Sequence, residues 1–373
     1  MKIRNMALLA ACSMVTAVTL GFGSGGTAVS TVQAAEVEGP KVKWLLSTWG
    51  KRRGIMEGME SFSEQISKAT DGNFEVSLQY GGVLSDPKEN LDGLKIGAFE
   101  AAMFCPVYHP SKTPAITGLD LPFLPVTDLE TRVKVHEAYL HNPAVLDELA
   151  RWNAYPLMTA LMPNYEVMGK GEAPKSIKDW EGLRLSASGG IGDLMKSIGA
   201  IPTTVPAPEM YQSLERGVMD GVAFPYTYAF AAYKLHELAD WRTEKSSLGS
   251  LTCVLVASKQ AYEALPPQYR ELIDRVKHGA YKHQIDTYTA IDEKNEKLFE
   301  EEGLKKVRFS SRSWTRPYSR AGMPGLLHAT RKDWTDRPCL TKFLPSQKSR
   351  IPTNNVEIII TDVTLWKNVV GKS

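Results

Sequence analysis

The stretch that most constrains this chain is residues 198–221, where a small-residue turn leads through an apolar run into a short helix, a turn and a strand. Pro208 stands where a first helical turn tolerates proline, and Glu209 suits a helix N-terminus. Tyr211, Leu214 and Val218 recur at helical spacing, which predicts one apolar face. Gly217 closes the helix, and Asp220-Gly221 turns the chain into a strand over Val222, Ala223 and Phe224. A helix-turn-strand unit of this kind belongs to an α/β domain.

The rest of the chain sets the scale. Its 373 residues suit two domains of roughly 100–200 residues each. With 43% hydrophobic and 23% charged residues it has the composition of a chain with a full core. A net charge of +2 argues against a dedicated nucleic-acid binder, but its distribution is uneven. The first 34 residues carry +2 and the stretch from Arg312 onward carries +7, which leaves the body at −7. Of four cysteines, Cys12 lies in the leader, and Cys105, Cys253 and Cys339 are far apart; they allow at most one disulfide and show no metal-ligand spacing.

Residues 1–34 read as a secretory signal: Lys2 and Arg4, an apolar stretch from Met6 to Phe22, and Val32-Gln33-Ala34 as a small-residue cleavage site before Ala35. A lipoprotein box ending at Cys12 is the lesser reading, since only about six apolar residues precede it. Gly21, Gly23 and Gly26 match a dinucleotide fingerprint by letters alone, inside the leader and with no strand before them. Strand, helix and strand follow over Val42–Trp49, a helix carrying Met56, Met59, Phe62 and Ile66 on one face, and Phe74–Tyr80. Ala101–Phe104 reads as a buried strand, and residues 129–152 as helical. Leu157–Met162, Tyr165–Gly169 and Thr252–Ala257 read as further strands, and a long charged helix runs from Pro267 to Glu302. Ser311 to Arg350 show neither a helical nor a strand period; the basic tail, residues 310–373, reads as a shifted reading frame or a disordered extension.

Gly199, Glu209, Tyr211, Leu214, Gly217 and Asp220-Gly221, in that order, closely resemble the signature segment of the solute-binding proteins of TRAP transporters. Further matches are Gly81–Leu84, the Leu91-Leu94-Gly97 spacing, Leu121-Pro122-Phe123, Lys175–Leu185 and Ser258-Lys259 with Tyr262, Leu265 and Pro266, so the resemblance covers roughly residues 41–309. It implies a two-lobed α/β periplasmic binding protein of type II-like form, with hinge strands and a long C-terminal helix. Lobe I would comprise residues 41–162 and about 248–285, and lobe II residues 163–247 and about 286–309. It implies a periplasmic receptor that captures a small organic solute, most readily an organic or aromatic acid, and delivers it to the TRAP permease subunits, as monomer or homodimer. The alternatives are a ligand-sensing module for a receptor kinase and an exported enzyme on the same scaffold. No catalytic set, P-loop or metal spacing is present, and no cofactor or nucleic-acid partner is expected.

In that family an Arg usually holds the solute carboxylate, since its planar fork donates two parallel hydrogen bonds. Here the family's Arg position is Ser186, a second polar position falls on Phe224, and Asn164 lies near where a further Arg is missing. The expected cleft is therefore aromatic and neutral: Trp49, Tyr80, Tyr108, His109, Asn164, Ser186, Phe224 and Tyr228, with Tyr226 nearby. Lys51, Arg52 and Arg53 follow Trp49 and could supply a positive charge, but a solvated cluster at a helix start is the preferred reading. Arg184 is expected to face solvent. The expected solute is a weakly charged or aromatic acid, or a neutral or zwitterionic compound.

Overall fold

The computed structural model describes residues 35–310 except 125, 127 and 247, together with Ser313 and Trp314. The export signal expected over residues 1–34 and the expected tail from residue 315 lie outside the described residues.

The chain opens with β1 (Val42–Ser47), α1 (Gly54–Ala69) and β2 (Phe74–Gln79), and β1 and β2 pair in parallel. Met56, Met59, Phe62 and Ile66 are all buried, so α1 lies on the sheet by the face that the helical spacing marks. Next come α2 (Asn90–Lys95) and β3 (Ala101–Phe104), whose four residues are all buried, as a central strand requires. The helical stretch after residue 129 is two helices, α3 (Leu129–Leu140) and α4 (Pro143–Ala150). Asn142 separates them: its side chain accepts from the Ala144 N–H at 2.9 Å, with Pro143 at the first helical position. β4 (Ala154–Thr159) completes this part.

A second set follows: β5 (Tyr165–Gly169), β6 (Arg184–Ser186), α5 (Gly189–Ser197), β7 (Ile201–Thr203), α6 (Met210–Glu215), β8 (Gly221–Pro225) and β9 (Trp241–Thr243). The chain then returns through β10 (Val254–Ser258), α7 (Lys259–Glu263), α8 (Pro267–Glu301) and β11 (Lys305–Val307). One sheet has the order β2-β1-β3-β10-β4 and the other β11-β9-β5-β8-β6-β7, so each sheet centres one lobe. Around the signature segment the helix is shorter than its spacing suggests. Met210 and Leu214 are buried, whereas Val218 lies beyond the helix end and is 54% exposed. Gly217, at φ 67°, takes the left-handed turn that stops the helix before Val218 could join the stripe. Asp220 then ties the turn to β6, accepting from the Arg184 backbone N–H at 2.9 Å.

Two irregular segments cross between the sheets, residues 160–164 and, residue 247 apart, 244–253. They bond to each other through Ala160 N–H to Cys253 O (2.9 Å) and Tyr165 N–H to Gly249 O (2.8 Å). Helix α8 is the third link. Near its start Tyr269 stacks on Phe74 of β2, and farther along the Tyr288 hydroxyl donates to Leu161 O at 2.7 Å. Its last turns belong to the second lobe, where Asn295 donates to Thr227 O at 2.6 Å and Glu296 pairs with the fully buried Arg242 at 2.8 Å. Burial opposes the charge on Glu296, but hydrogen bonds from Lys306 and Tyr226 and the field of Arg242 outweigh it and hold the carboxyl down at about 2. At the base of this lobe Trp314 is fully buried against Trp180 and Phe309, at ring distances of 5.0 and 5.2 Å. Ordered packing therefore runs past Phe309 to Trp314.

Candidate functional site

In both sheets, β1, β3, β6, β7 and β8 end at the same place, where the lobes face each other. Loops after the C-terminal ends of strands in an open α/β sheet are where such folds form a crevice. A cleft of about 510 Å³, its open mouth included, lies there. Trp49, Arg53, Ile55, Val107 and Tyr108 form the first-lobe wall, and Ser186, Ala187, Ser188, Val205, Ala207, Met210, Ala223, Phe224 and Tyr228 the second. Met162, Tyr165, Leu251 and the Cys105–Cys253 disulfide close the back. The disulfide joins the end of β3 to the second crossover, because Phe104 pairs with Val254 and the next pair outward in that antiparallel register is Cys105 with Cys253.

Of the eight residues singled out from the sequence, five meet here: Trp49, Tyr108, Ser186, Phe224 and Tyr228. Trp49 and Tyr108 pack edge to face, as do Tyr165 and Phe224, and Tyr228 stacks on Tyr288 of α8. Tyr108 also spans the gap: its hydroxyl oxygen accepts from the Ala207 N–H of the other lobe at 3.2 Å. Ser186 is 1% exposed, and its hydroxyl has no partner among the described residues.

The other three are committed elsewhere. Tyr80 donates to Glu60, so its ring is drawn along α1. His109 follows Tyr108 on a single 3-10 turn and swings the other way. It is buried against Phe104, with Nε2 3.1 Å from Asn90 Oδ1, and burial and the nearby Lys112 push its imidazolium down to about 4. Asn164 accepts from Arg132 at 2.6 Å. Arg132 is itself buried and also donates to the Met162 and Val126 carbonyls; burial lowers its guanidinium to about 10. Arg184 forms an exposed ion pair with Asp220, as its position early in β6 predicts.

The basic run after Trp49 splits, contrary to the solvated cluster expected for it. Lys51 is exposed. Arg52 takes Glu57 with two parallel bonds of 2.8 Å. Arg53 turns inward. Gly50, at φ 68°, reverses the chain, and Arg53 occupies the residue before α1 in extended conformation, which aims its side chain back under the loop. Its Nη1 donates to Trp49 O and Lys51 O at 3.0 and 2.9 Å, and its guanidinium stands 5.2 Å over the Tyr233 ring of the second lobe. Its Nε is buried without a partner, and it pairs with no carboxylate among the described residues. Among the described residues lining the cleft, Arg53 is the one charged side chain.

Two lobes, two paired crossover segments and a bridging helix around an aromatic cleft define a solute-binding protein. The family model for bacterial extracellular solute-binding proteins, family 7 (DctP), matches residues 46–315, and the chain belongs to that family, the solute receptors of TRAP transporters. The match reaches past residue 309 and includes Trp314. A monocarboxylate 2-oxoacid-binding periplasmic protein of Nostoc sp. is 24% identical over 297 residues, spanning 76% of this chain and 78% of that protein. The ectoine-binding periplasmic protein TeaA of Halomonas elongata is 22% identical over 232 residues, 62% of this chain and 65% of that one. Among solved structures, a TRAP solute-binding protein of Rhodoferax ferrireducens with copurified benzoate superposes with a TM-score of 0.71 at 21% identity, covering 80% of this chain and 94% of that one. A Bordetella pertussis receptor, DctP7, binding pyroglutamic acid gives 0.66 at 17% identity, covering 78% and 100%. No helix among the described residues is long and apolar enough to cross a membrane, and no group of three or more His, Cys, Asp or Glu could hold a metal ion.

Proposed function

We propose that this receptor captures a small organic acid whose carboxylate is held by Arg53, against walls formed by Trp49, Tyr108, Phe224 and Tyr228. It then passes the acid to the membrane subunits of a TRAP permease outside the cytoplasm. The observation that carries this reading is the Arg53 guanidinium, which has no carboxylate partner among the described residues, in an otherwise uncharged, largely apolar cleft. Arg53 is half-buried with its Nε lacking a partner, and a carboxylate that docks onto that edge gains charge-assisted bonds. Relatives named for binding a 2-oxoacid, benzoate and pyroglutamic acid support an acid as the solute. The lobes, residues 41–162 with about 248–285 and residues 163–247 with about 286–309, would close over it by bending at the two crossovers. The protein itself performs no chemistry on the solute in this reading.

Isothermal titration of the wild type with aliphatic and aromatic monocarboxylates tests it. Arg53→Gln is expected to weaken every acid that binds by about 30- to 150-fold, the equivalent of about 2–3 kcal/mol for a charged hydrogen-bonding group. Equal affinity in the variant, or tight binding of neutral analogues only, would remove Arg53 from the site.

A further inference from the structure

The second-lobe wall holds polar groups that the carboxylate reading does not use. α5 begins at the cleft. Its first intrahelical bond is Gly192 N–H to Ser188 O at 3.0 Å, so the N–H groups of Gly189, Gly190 and Ile191 have no partner within the helix. Ser188, which stands before them, caps none of them with its side chain. Two residues upstream is the Ser186 hydroxyl, buried and unpartnered on the same wall. Among the described residues these donors and the buried Ser186 hydroxyl have no partner, so an acceptor that enters the cleft can take them.

What lies behind that helix start limits the acceptor. Gly189 and Gly190 pack directly onto Asp120: a Cβ on Gly189 would stand 3.5 Å from Asp120 Oδ2, and one on Gly190 would collide with the Asp120 backbone. Asp120 is 1% exposed. Its Oδ1 accepts from Thr252 N–H at 2.6 Å, its Oδ2 has no partner, and no basic side chain pairs with it among the described residues. The other titratable group facing it is the Tyr165 phenol of β5. Any negative charge at the start of α5 would therefore meet a second carboxyl in a dry setting, with Arg53 already engaged on the opposite wall.

Resting on the organic-acid reading above, we propose that the solute is an oxo- or hydroxy-monocarboxylate. Its neutral oxygen is bound by Ser186, Ser188 and the first turn of α5, and Asp120 excludes a second carboxylate from that end. The charged group and the neutral oxygen are thus read by different lobes, and only the closed form satisfies both.

The test is titration calorimetry, after removal of any copurified solute, with two matched sets. One is pentanoate, 2-oxopentanoate, 2-hydroxypentanoate, 4-oxopentanoate, glutarate and 2-oxoglutarate; the other is benzoate and benzoylformate. The wild type is expected to bind the best oxygenated monoacid of a set about tenfold more tightly than its plain parent, and each dicarboxylate about tenfold more weakly than the corresponding monoacid. Ser186→Ala should bring the oxygenated-to-plain ratio to within about threefold. At pH 8, above the value of about 7 to which burial raises Asp120, Asp120→Asn should narrow the gap between dicarboxylate and monocarboxylate. A wild type that binds plain acids as well as oxygenated ones, or dicarboxylates best, overturns the proposal and leaves the carboxylate reading standing. If no acid of either set binds, both fall. Should Ser186→Ala lose its cooperative melt, the wild-type ratios alone decide.

Discussion

The two walls of the cleft are built on different principles. The first-lobe wall carries its polarity as one charge, Arg53, between Trp49 and Tyr108, with the disulfide bracing the strand end behind it. The second-lobe wall has no charge among its described lining residues. It offers apolar and aromatic side chains, two serines and the open start of α5. The difference is what the proposed division of recognition rests on: one lobe would read that the solute is an anion, and the other what else it carries. Where relatives are expected to place an arginine on β6, this chain has Ser186, and the cation lining the cleft is Arg53, from the loop before α1.

The comparison can be broken most strongly at Asp120, the first-lobe carboxyl lodged behind the second-lobe wall. Burial pushes it up to about 7, against the hydrogen bonds from Thr252. Between the unfolded value near 3.9 and about 7 the folded chain holds a proton that the unfolded chain has released. Stability from this group is thus complete below pH ~4 and is lost as pH rises to ~7. Asp120→Asn should flatten that slope, leave stability at pH 3 nearly unchanged and raise it at pH 8 by roughly 3–4 kcal/mol, read by urea unfolding across pH. An unchanged slope would place the carboxyl in water rather than behind the wall.

Next in size is the brace. The Cys105–Cys253 link closes a loop of 148 residues in sequence separation. Its removal by Cys105→Ser with Cys253→Ser is expected to destabilise the protein by about 2–4 kcal/mol, with the effect of reductant on the wild type vanishing in the variant. Arg53→Gln, at about 2–3 kcal/mol of affinity, should act on all acids alike. Ser186→Ala, near 1.4 kcal/mol or less, should act more on the oxygenated ones than on the plain ones, and this contrast sharpens the division between the walls. The smallest effect is expected at Tyr108→Phe. It deletes the contact to Ala207 across the cleft, costs about 1 kcal/mol of the closed form, and should raise the radius of gyration of the solute-free protein in small-angle scattering.

Much of the fold was legible because its signals are local. The α1 stripe, the buried run of β3 and the proline-led start of α8 each follow from spacing or from a single residue. Trp49, Ser186 and Phe224 could be placed because they stand at strand ends within the resembling motifs. What failed was direction. Lys51, Arg52 and Arg53 are equivalent as letters, and Glu57 is within helical reach of more than one. Only the Gly50 reversal decides which of them turns inward. Tyr80 and Asn164 were lost to partners distant in sequence, Glu60 and Arg132, and His109 to Asn90. The disulfide depended on the β3–β10 register, which no spacing between Cys105 and Cys253 announces.

The most direct measurement is a crystal structure of the protein with the acid that copurifies or binds most tightly. The account predicts one carboxylate within ~3 Å of the Arg53 guanidinium and a neutral oxygen of the same molecule on Ser186 or the first turn of α5. A carboxylate seated on the α5 end with Arg53 untouched, or a solute with no acid group, would contradict it.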